Sequence, residues 1–315
     1  MEISNFKKDV LEGLSANPKR LSSKYFYDKK GSHLFQQIMQ LEEYYLTNCE
    51  FEIFETHREG LLKLFQNANK PFQLIEFGAG DGLKTKLLLE TFVNANADFQ
   101  YLPIDISKDI LEELSASLEI QFPTLDVQTI HDDYFKGLES LEKQTNYRKV
   151  VLFVGANIGN FDKSSAKQFL SEIKKRLSKD DLLLVGFDLK KDPATILAAY
   201  NDRRGVTRDF NLNLLIRLNR ELGANFDLSK FIHAPIYNPS NGMTESFLVS
   251  TETQDVHFKE LEETFHFEAW EAIHTEISKK YGLQEIERLA KSVGFSVVEH
   301  FFDNKKYFVD TIWKA

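Results

Sequence analysis

The chain has 315 residues, 42% of them hydrophobic and 28% charged, with 39 Lys and Arg against 48 Asp and Glu and a net charge of −9. That composition fills a core of one large domain or two, excludes a disordered chain, and argues against nucleic acid, whose phosphates need a basic surface. The single cysteine, Cys49, excludes an internal disulfide and a four-cysteine zinc site, and the eight histidines lack H-x-x-x-H spacing, so no metal is expected. With no apolar leader and no run of 18 apolar residues, the chain is expected to be soluble and cytoplasmic, without a membrane partner, and to act as a monomer.

Residues 1–20 read as a leading helix that stops at Asn17-Pro18. An aromatic-rich stretch follows, with helical spacing over Ser32–Leu41 and Thr47–Phe65. Tyr25, Phe26 and Tyr27 fall in a turn with Asp28 and Gly31, and Glu43, Tyr44 and Tyr45 lie between the two helices. A lone loop tyrosine is more often a core plug or an interface residue. Two such clusters ahead of the segment that follows are expected to face a substrate.

Leu74–Leu89, LIEFGAGDGLKTKLLL, reads as a buried strand, a glycine-rich turn and the start of a helix. Gly78, Gly80 and Gly82 let the backbone turn sharply with no Cβ in a ligand's way. Leu83 stands where a dinucleotide fingerprint has its third glycine, so a pyrophosphate fits poorly. Glu76 at the strand end also repels a pyrophosphate, and it suits a cation, as in the E-x-G-x-G loops that bind S-adenosylmethionine. Alone, the loop reads equally as a cofactor cradle and as a tight βα turn.

After a helix around Thr85–Phe92, a second strand ends at Asp105, 25 positions beyond Gly80. That spacing sets its carboxylate beside a cofactor ribose, the alternative being that Asp105 and Ser107 cap the helix Lys108–Ser117. The third strand is Val127–Ile130, followed by Asp133, placed to accept from an adenine amine, and Tyr134, placed against its ring; a plain acidic turn reads equally well. The fourth strand, Lys149–Val154, is apolar throughout and leads into Gly155-Ala156-Asn157-Ile158-Gly159-Asn160 at the sheet edge where ligands bind. Gly155 and its small neighbours allow close approach, and Asn160 holds an amine or carboxylate, caps the helix Ser164–Leu177, or does both. The fifth strand is Asp181–Phe187.

From Lys190 the alternation gives way to an α+β insertion: helices Ala194–Tyr200 and Thr207–Leu222, then alternating segments Phe231–Tyr237, Thr244–Thr251 and Gln254–Phe258. The first pattern resumes with the helix Leu283–Val293 and a hairpin of Phe295–Phe302 and Tyr307–Trp313. An oxidoreductase would add parallel strands, whereas a helix and a terminal hairpin close the sheet of a class I methyltransferase. The expected fold class is therefore α/β, a class I methyltransferase Rossmann-like sheet with a terminal β-hairpin, plus an α+β substrate-binding domain.

The motifs YFYD, LFQQI, LEEYYLTNCE, LIEFGAGDGLKT, PIDIS, IGN, GFDLKKD, AAYNDRRGVTRDFNLNLL, NRELGANFDLSKF and IHTEISKKY make the chain resemble, over nearly its whole length, the histidine Nα-methyltransferases of ergothioneine biosynthesis. The resemblance implies a methyltransferase core at 56–190 and 280–315 and a substrate domain at 1–55 and 191–279. It implies S-adenosylmethionine as methyl donor, contacted by Gly78, Gly80, Lys84, Asp105, Asp133 and Tyr134, to which the readings above add Glu76 and Gly155.

Tyr44, Asn160 and Tyr200 match residues that hold the α-amino and carboxylate groups of L-histidine, with Tyr27 and Phe210 nearby; Tyr44, Asn160 and Tyr27 form the expected catalytic group. Glu276 and Ser278 match a pair that hydrogen-bonds the imidazole, and alternation along a strand points both to one face. The implied product is the trimethylated betaine, hercynine. Two positions depart from the pattern: Ser246 replaces a larger thioether side chain near the ring, which would widen the pocket, and Gly80-Asp81-Gly82 replaces a more usual Gly-Thr-Ser. Another amino acid such as tryptophan is the alternative substrate, and a nicotinamide-dependent oxidoreductase the more distant alternative.

Overall fold

A computed structural model describes residues 3–66, 70–140 and 146–315. Helices α1 (Ile3–Ser15), α2 (Lys29–Met39) and α3 (Tyr45–Phe65) come first. Of the leading helix expected over 1–20, residues 1 and 2 lie outside the described residues. Then β1 (Phe72–Phe77), α4 (Thr85–Asn94), β2 (Phe99–Asp105), α5 (Lys108–Gln121), β3 (Asp126–Val127), β4 (Ile130–His131), α6 (Tyr134–Ser140), β5 (Arg148–Phe153), α7 (Lys163–Arg176) and β6 (Leu182–Asp188) alternate. The insertion holds α8 (Pro193–Tyr200), α9 (Val206–Leu222), β7 (Phe231–Asn238), β8 (Met243–Ser250), β9 (Gln254–Phe258), β10 (Glu263–Phe267) and β11 (Ala272–Lys279). The chain closes with α10 (Leu283–Ser292), β12 (Ser296–Phe302) and β13 (Phe308–Lys314).

The chain divides into two compact units, one of Leu46–Lys190 with Lys280–Ala315, the other of the residues up to Tyr45 with Lys191–Lys279. The first limit thus falls ten residues before the expected 55/56. The reason is α3, an unbroken helix whose Phe65 packs edge-on against Phe72 of β1 and Phe92 of α4, at 6.2 and 6.0 Å between ring centres.

In the first of these units the strand order is β12-β13-β6-β5-β1-β2-β3, with β4 also beside β2. Strands β2, β1, β5 and β6 run parallel, and β13 enters antiparallel between β6 and β12. This is the class I methyltransferase sheet. β1 and β6 are buried along their whole length, because helices cover both faces of a parallel sheet. The single third strand expected over Val127–Ile130 is two short ones: β3 pairs with Gln100 and Tyr101, β4 with Ile104 and Asp105. Between them the ladder is interrupted opposite the stretch holding Pro103, which has no N–H to donate.

In the second unit the antiparallel sheet β11-β8-β7 and the hairpin β9-β10 pack with α9 around one core, in which Leu214, Leu218 and Leu222 of α9 meet Leu248 and Ile273. Strand β11 carries a bulge. Its register steps from His274 opposite Phe247 to Glu276 opposite Ser246, leaving Thr275 as the extra residue. Simple alternation would set Ile273 and Glu276 on opposite faces, but the bulge sets Ile273, Glu276 and Ser278 on one face, across from Leu248, Ser246 and Thr244. The Thr275 hydroxyl donates to the Ser246 carbonyl at 3.0 Å and stands 3.2 Å from Asn211 Oδ1 of α9, which pins the bulge in place.

Candidate active site

The glycine-rich loop after β1 has the conformation that its composition calls for. Gly78, Gly80 and Gly82 have φ of +68°, +56° and +67°, which a side chain makes costly. A Cβ on Gly80 would meet nothing within 4 Å, so the loop borders open space, whereas one on Gly78 would stand 2.9 Å from the Tyr134 hydroxyl. Residues that fit a cofactor are therefore present: a concave, left-handed backbone with room in front of it.

Glu76 is fully enclosed. Its two oxygens accept from Tyr101 (2.5 Å) and Thr85 (2.7 Å), and burial, only partly offset by those hydroxyls, pushes its pKa up to about 7. These contacts tie β1, β2 and α4 together beneath the loop. Asp105, at the end of β2, accepts from the Ser107 amide at 2.9 Å and from the amides of Gly80 and Ile106. Burial raises its pKa against those three donors. Both readings of this segment are present together, since Ser107 also caps α5 through the Ile110 amide at 3.4 Å. Asp133 caps α6, accepting from the Phe135 and Lys136 amides, each at 3.1 Å, and pairs with Lys136 Nζ at 3.2 Å. Tyr134 lies flat against Phe77, with 4.8 Å between ring centres and 11° between planes, and burial pushes its hydroxyl up to about 12.

Beyond β5, Gly155 and Ala156 both take positive φ, +76° and +57°. The chain then makes a single 3₁₀ turn, Asn157–Asn160. Asn160 is exposed at the end of that turn, and α7 is capped by Asp162, which accepts from Ser164 (2.8 Å) and Ser165 (2.9 Å). The capping alternative for Asn160 therefore falls away.

The other unit gathers the remaining residues into two groups. In one, Tyr27 stands edge-on to Phe35 (5.5 Å) and to Phe210 (5.6 Å), Phe35 lies 5.9 Å from Phe210, and Tyr44 is edge-on to Phe35 at 6.2 Å. Phe35 is the hub that sequence reasoning passed over, although it lies within LFQQI. In the second, Tyr200 at the end of α8 bonds Ser278 Oγ at 2.7 Å, and Ser246 donates to Glu276 Oε2 at 3.3 Å. The resemblance sets Tyr200 on the amino and carboxylate groups; in the fold its hydroxyl bonds Ser278, one of the two residues that the resemblance sets on the imidazole. Ser246 is buried directly across from Glu276, so the departing residue is itself a partner of the expected ring-reading acid. Glu276 also lines a cavity of about 300 Å³ with Arg20, Leu21, Ser22 and His274. Among the described residues no cluster of His, Cys, Asp and Glu is placed to hold a metal ion, and no helix is long and apolar enough to cross a membrane.

Comparison with known proteins identifies the family. The chain is 34% identical over 275 residues to a histidine N-alpha-methyltransferase of Mycolicibacterium smegmatis, covering 87% of this chain and 84% of the relative. It is 31% identical over 297 residues to the protein of the same name in Mycobacterium tuberculosis, covering 94% and 91%. It is also 31% identical to ergothioneine biosynthesis protein 1 of Neurospora crassa, covering 95% of this chain but 33% of that longer protein. The profile of a family described as histidine-specific, S-adenosylmethionine-dependent methyltransferases matches residues 6–315, and the chain belongs to that family.

Proposed function

We propose that the protein transfers methyl groups from S-adenosylmethionine to the α-amino nitrogen of L-histidine, successively, to give N,N,N-trimethylhistidine (hercynine), the first step of ergothioneine biosynthesis. The observation that carries the choice of histidine is the polar face of β11. Glu276, steadied by Ser246, is an acceptor for a ring N–H. Ser278, whose oxygen accepts from Tyr200, lies on the same face and is assigned to the unprotonated ring nitrogen. One acceptor and one donor on the same face match a neutral imidazole, and an indole would leave the Ser278 donor unmatched.

The cofactor supplies an electrophilic methyl on a sulfonium, so the protein's task is to present a neutral amine with its lone pair aimed along the transfer line. Tyr27, Tyr44 and Asn160 are assigned to the amine. Their oxygens accept hydrogen bonds from it without the full negative charge that would hold it as an ammonium. As methyls accumulate the nitrogen loses donors and gains a permanent charge, which the rings of Tyr27, Phe35 and Phe210 tolerate on their faces. Gly78, Gly80, Lys84, Asp105, Asp133, Tyr134 and Gly155 are assigned to the cofactor, and the exposed Asn160 follows Gly155 by one short turn.

The test is mass spectrometry of products after the pure protein is incubated with S-adenosylmethionine and an equimolar mixture of the common amino acids. A histidine mass ladder ending at the trimethylated species is expected. Methylation of a different amino acid would overturn the assignment of Glu276 and Ser278, and Glu276→Ala is expected to abolish the preference for histidine.

A further inference from the structure

Glu50 is a carboxylate with no exposed surface, on the apolar side of α3. It accepts the Gly155 backbone N–H, at 2.7 Å to Oε1 and 3.0 Å to Oε2, and the ammonium of Lys84. Asp310 of β13, equally buried, faces the same spot; among the described residues no N–H or hydroxyl group reaches its oxygens, and its hydrogen-bonding neighbour is the Glu50 carboxyl group. Below the two acids lies Gly186 of β6, opposite Asp310 in register. A Cβ there would stand 2.5 Å from Glu50 Oε1 and 3.1 Å from Asp310 Oδ1. The strand therefore has a glycine where the two carboxyl groups take up the space of a side chain. One ammonium cannot balance two carboxylates in so dry a place, and two ionised acids at this separation repel strongly.

We propose that Glu50 is a positioning residue for cofactor binding, which fixes the Lys84 ammonium and the Gly155 backbone together, and that Asp310 beside it is held uncharged so that one cation faces one anion. The inference rests on the reading of Lys84 as a cofactor contact. The direction of each titration agrees. Burial, reinforced by the Glu50 charge and only partly offset by Lys84, holds the Asp310 carboxyl well above the usual range. Burial is the largest influence on Lys84 and would depress it, but the charge and hydrogen bond of Glu50, together with the nearby acids Asp310 and Glu76, outweigh it and raise the lysine. The charged groups facing this spot are Glu50 from α3, Lys84 before α4, Asp310 from β13 and Glu76 from β1. Glu50 also joins two segments assigned to different ligands: Lys84 follows the glycine-rich loop, and Gly155 opens the turn that ends at Asn160.

The test is calorimetric titration of the full-length protein with S-adenosylhomocysteine, for wild type, Glu50→Gln, Lys84→Met, the double variant and Asp310→Asn. Glu50→Gln and Lys84→Met are each expected to weaken binding about tenfold or more, the scale of one charge-assisted hydrogen bond. The double variant is expected to be no weaker than the worse single, because both remove one interaction. Asp310→Asn, a neutral isostere of a neutral acid, is expected to bind within about twofold of wild type. Wild type at pH 8.5 is expected to show the carbonyl stretch of a protonated carboxylic acid in the infrared, and Asp310→Asn to lack it. Wild-type affinity in Glu50→Gln with loss in Lys84→Met would overturn the inference while leaving the lysine's role intact. Wild-type affinity in Lys84→Met would overturn that role and the inference with it. Absence of the acid band from wild type would overturn the neutral Asp310 even if the Glu50 variant fails to fold.

Discussion

In the proposed site, one hydroxyl stands behind the residue assigned to the imidazole. The Tyr200 phenol bonds Ser278 Oγ at 2.7 Å, and both groups are buried. Tyr200→Phe removes the donor to Ser278 Oγ and is expected to lower kcat/KM for histidine about tenfold while the affinity for S-adenosylhomocysteine stays at the wild-type value; equal losses in both would show that the contact only supports the fold. The residues that sequence reading reached were those with an unusual type in a telling place, such as the left-handed glycines or an acid ending a strand. Phe35 and Glu50 were missed for opposite reasons. Phe35 is an ordinary apolar residue in an ordinary helix, and only the ring geometry shows that Tyr27, Tyr44 and Phe210 converge on it. Glu50 did leave a trace, because an acid between Leu46, Ile53 and Phe54 interrupts an apolar stripe.

Between elements, the decisive feature is one extra residue in β11. Thr275→Val keeps the shape and removes the hydroxyl that anchors the bulge to Ser246 and Asn211. It is expected to cost about 1–2 kcal/mol of stability and to lower kcat/KM for histidine more than tenfold, with cofactor affinity unchanged; stability is read from denaturant unfolding and activity from initial rates. The expectation that Glu276 and Ser278 share a face holds, but the face is the one carrying Ile273, and nothing in IHTEISKK marks where pairing slips. A bulge leaves composition and alternation almost untouched, so it is invisible until the partner strand is known. The parallel strands were legible because complete burial writes an unbroken apolar run. Hairpin β9-β10 was half legible: Gln254–Phe258 alternates visibly, whereas its partner, Glu263–Phe267, was not assigned.

At the scale of the whole molecule, the buried acids set the dependence of stability on pH. Glu76, raised to about 7, keeps its proton in the folded protein over a range where the unfolded chain has lost it. Unfolding therefore releases a proton there, and stability falls as pH rises from about 4.5 to about 7, by up to about 3 kcal/mol from this group. His233, which burial lowers to about 4, acts with the opposite sign below its ordinary range and is common to both proteins compared. The thermal midpoint of Glu76→Gln minus that of wild type is thus expected to increase between pH 5 and pH 8, and a flat difference would refute the assignment. A second consequence lies in how the catalytic sheet treats the insertion. The chain leaves at Asp188-Leu189-Lys190 and returns at Lys280-Tyr281, and those ends bond each other: Tyr281 N–H to the Asp188 carbonyl (2.9 Å), Lys190 N–H to the Tyr281 carbonyl (3.0 Å), and a fully buried Lys280 ammonium on the Asp188 carboxylate (2.9 Å). Exit and re-entry are thus sealed within the sheet's own unit, one strand spacing apart. Seen as a socket, this seam closes on itself, so residues 191–279 leave and rejoin the chain of the first unit without opening the hydrogen bonding of its sheet.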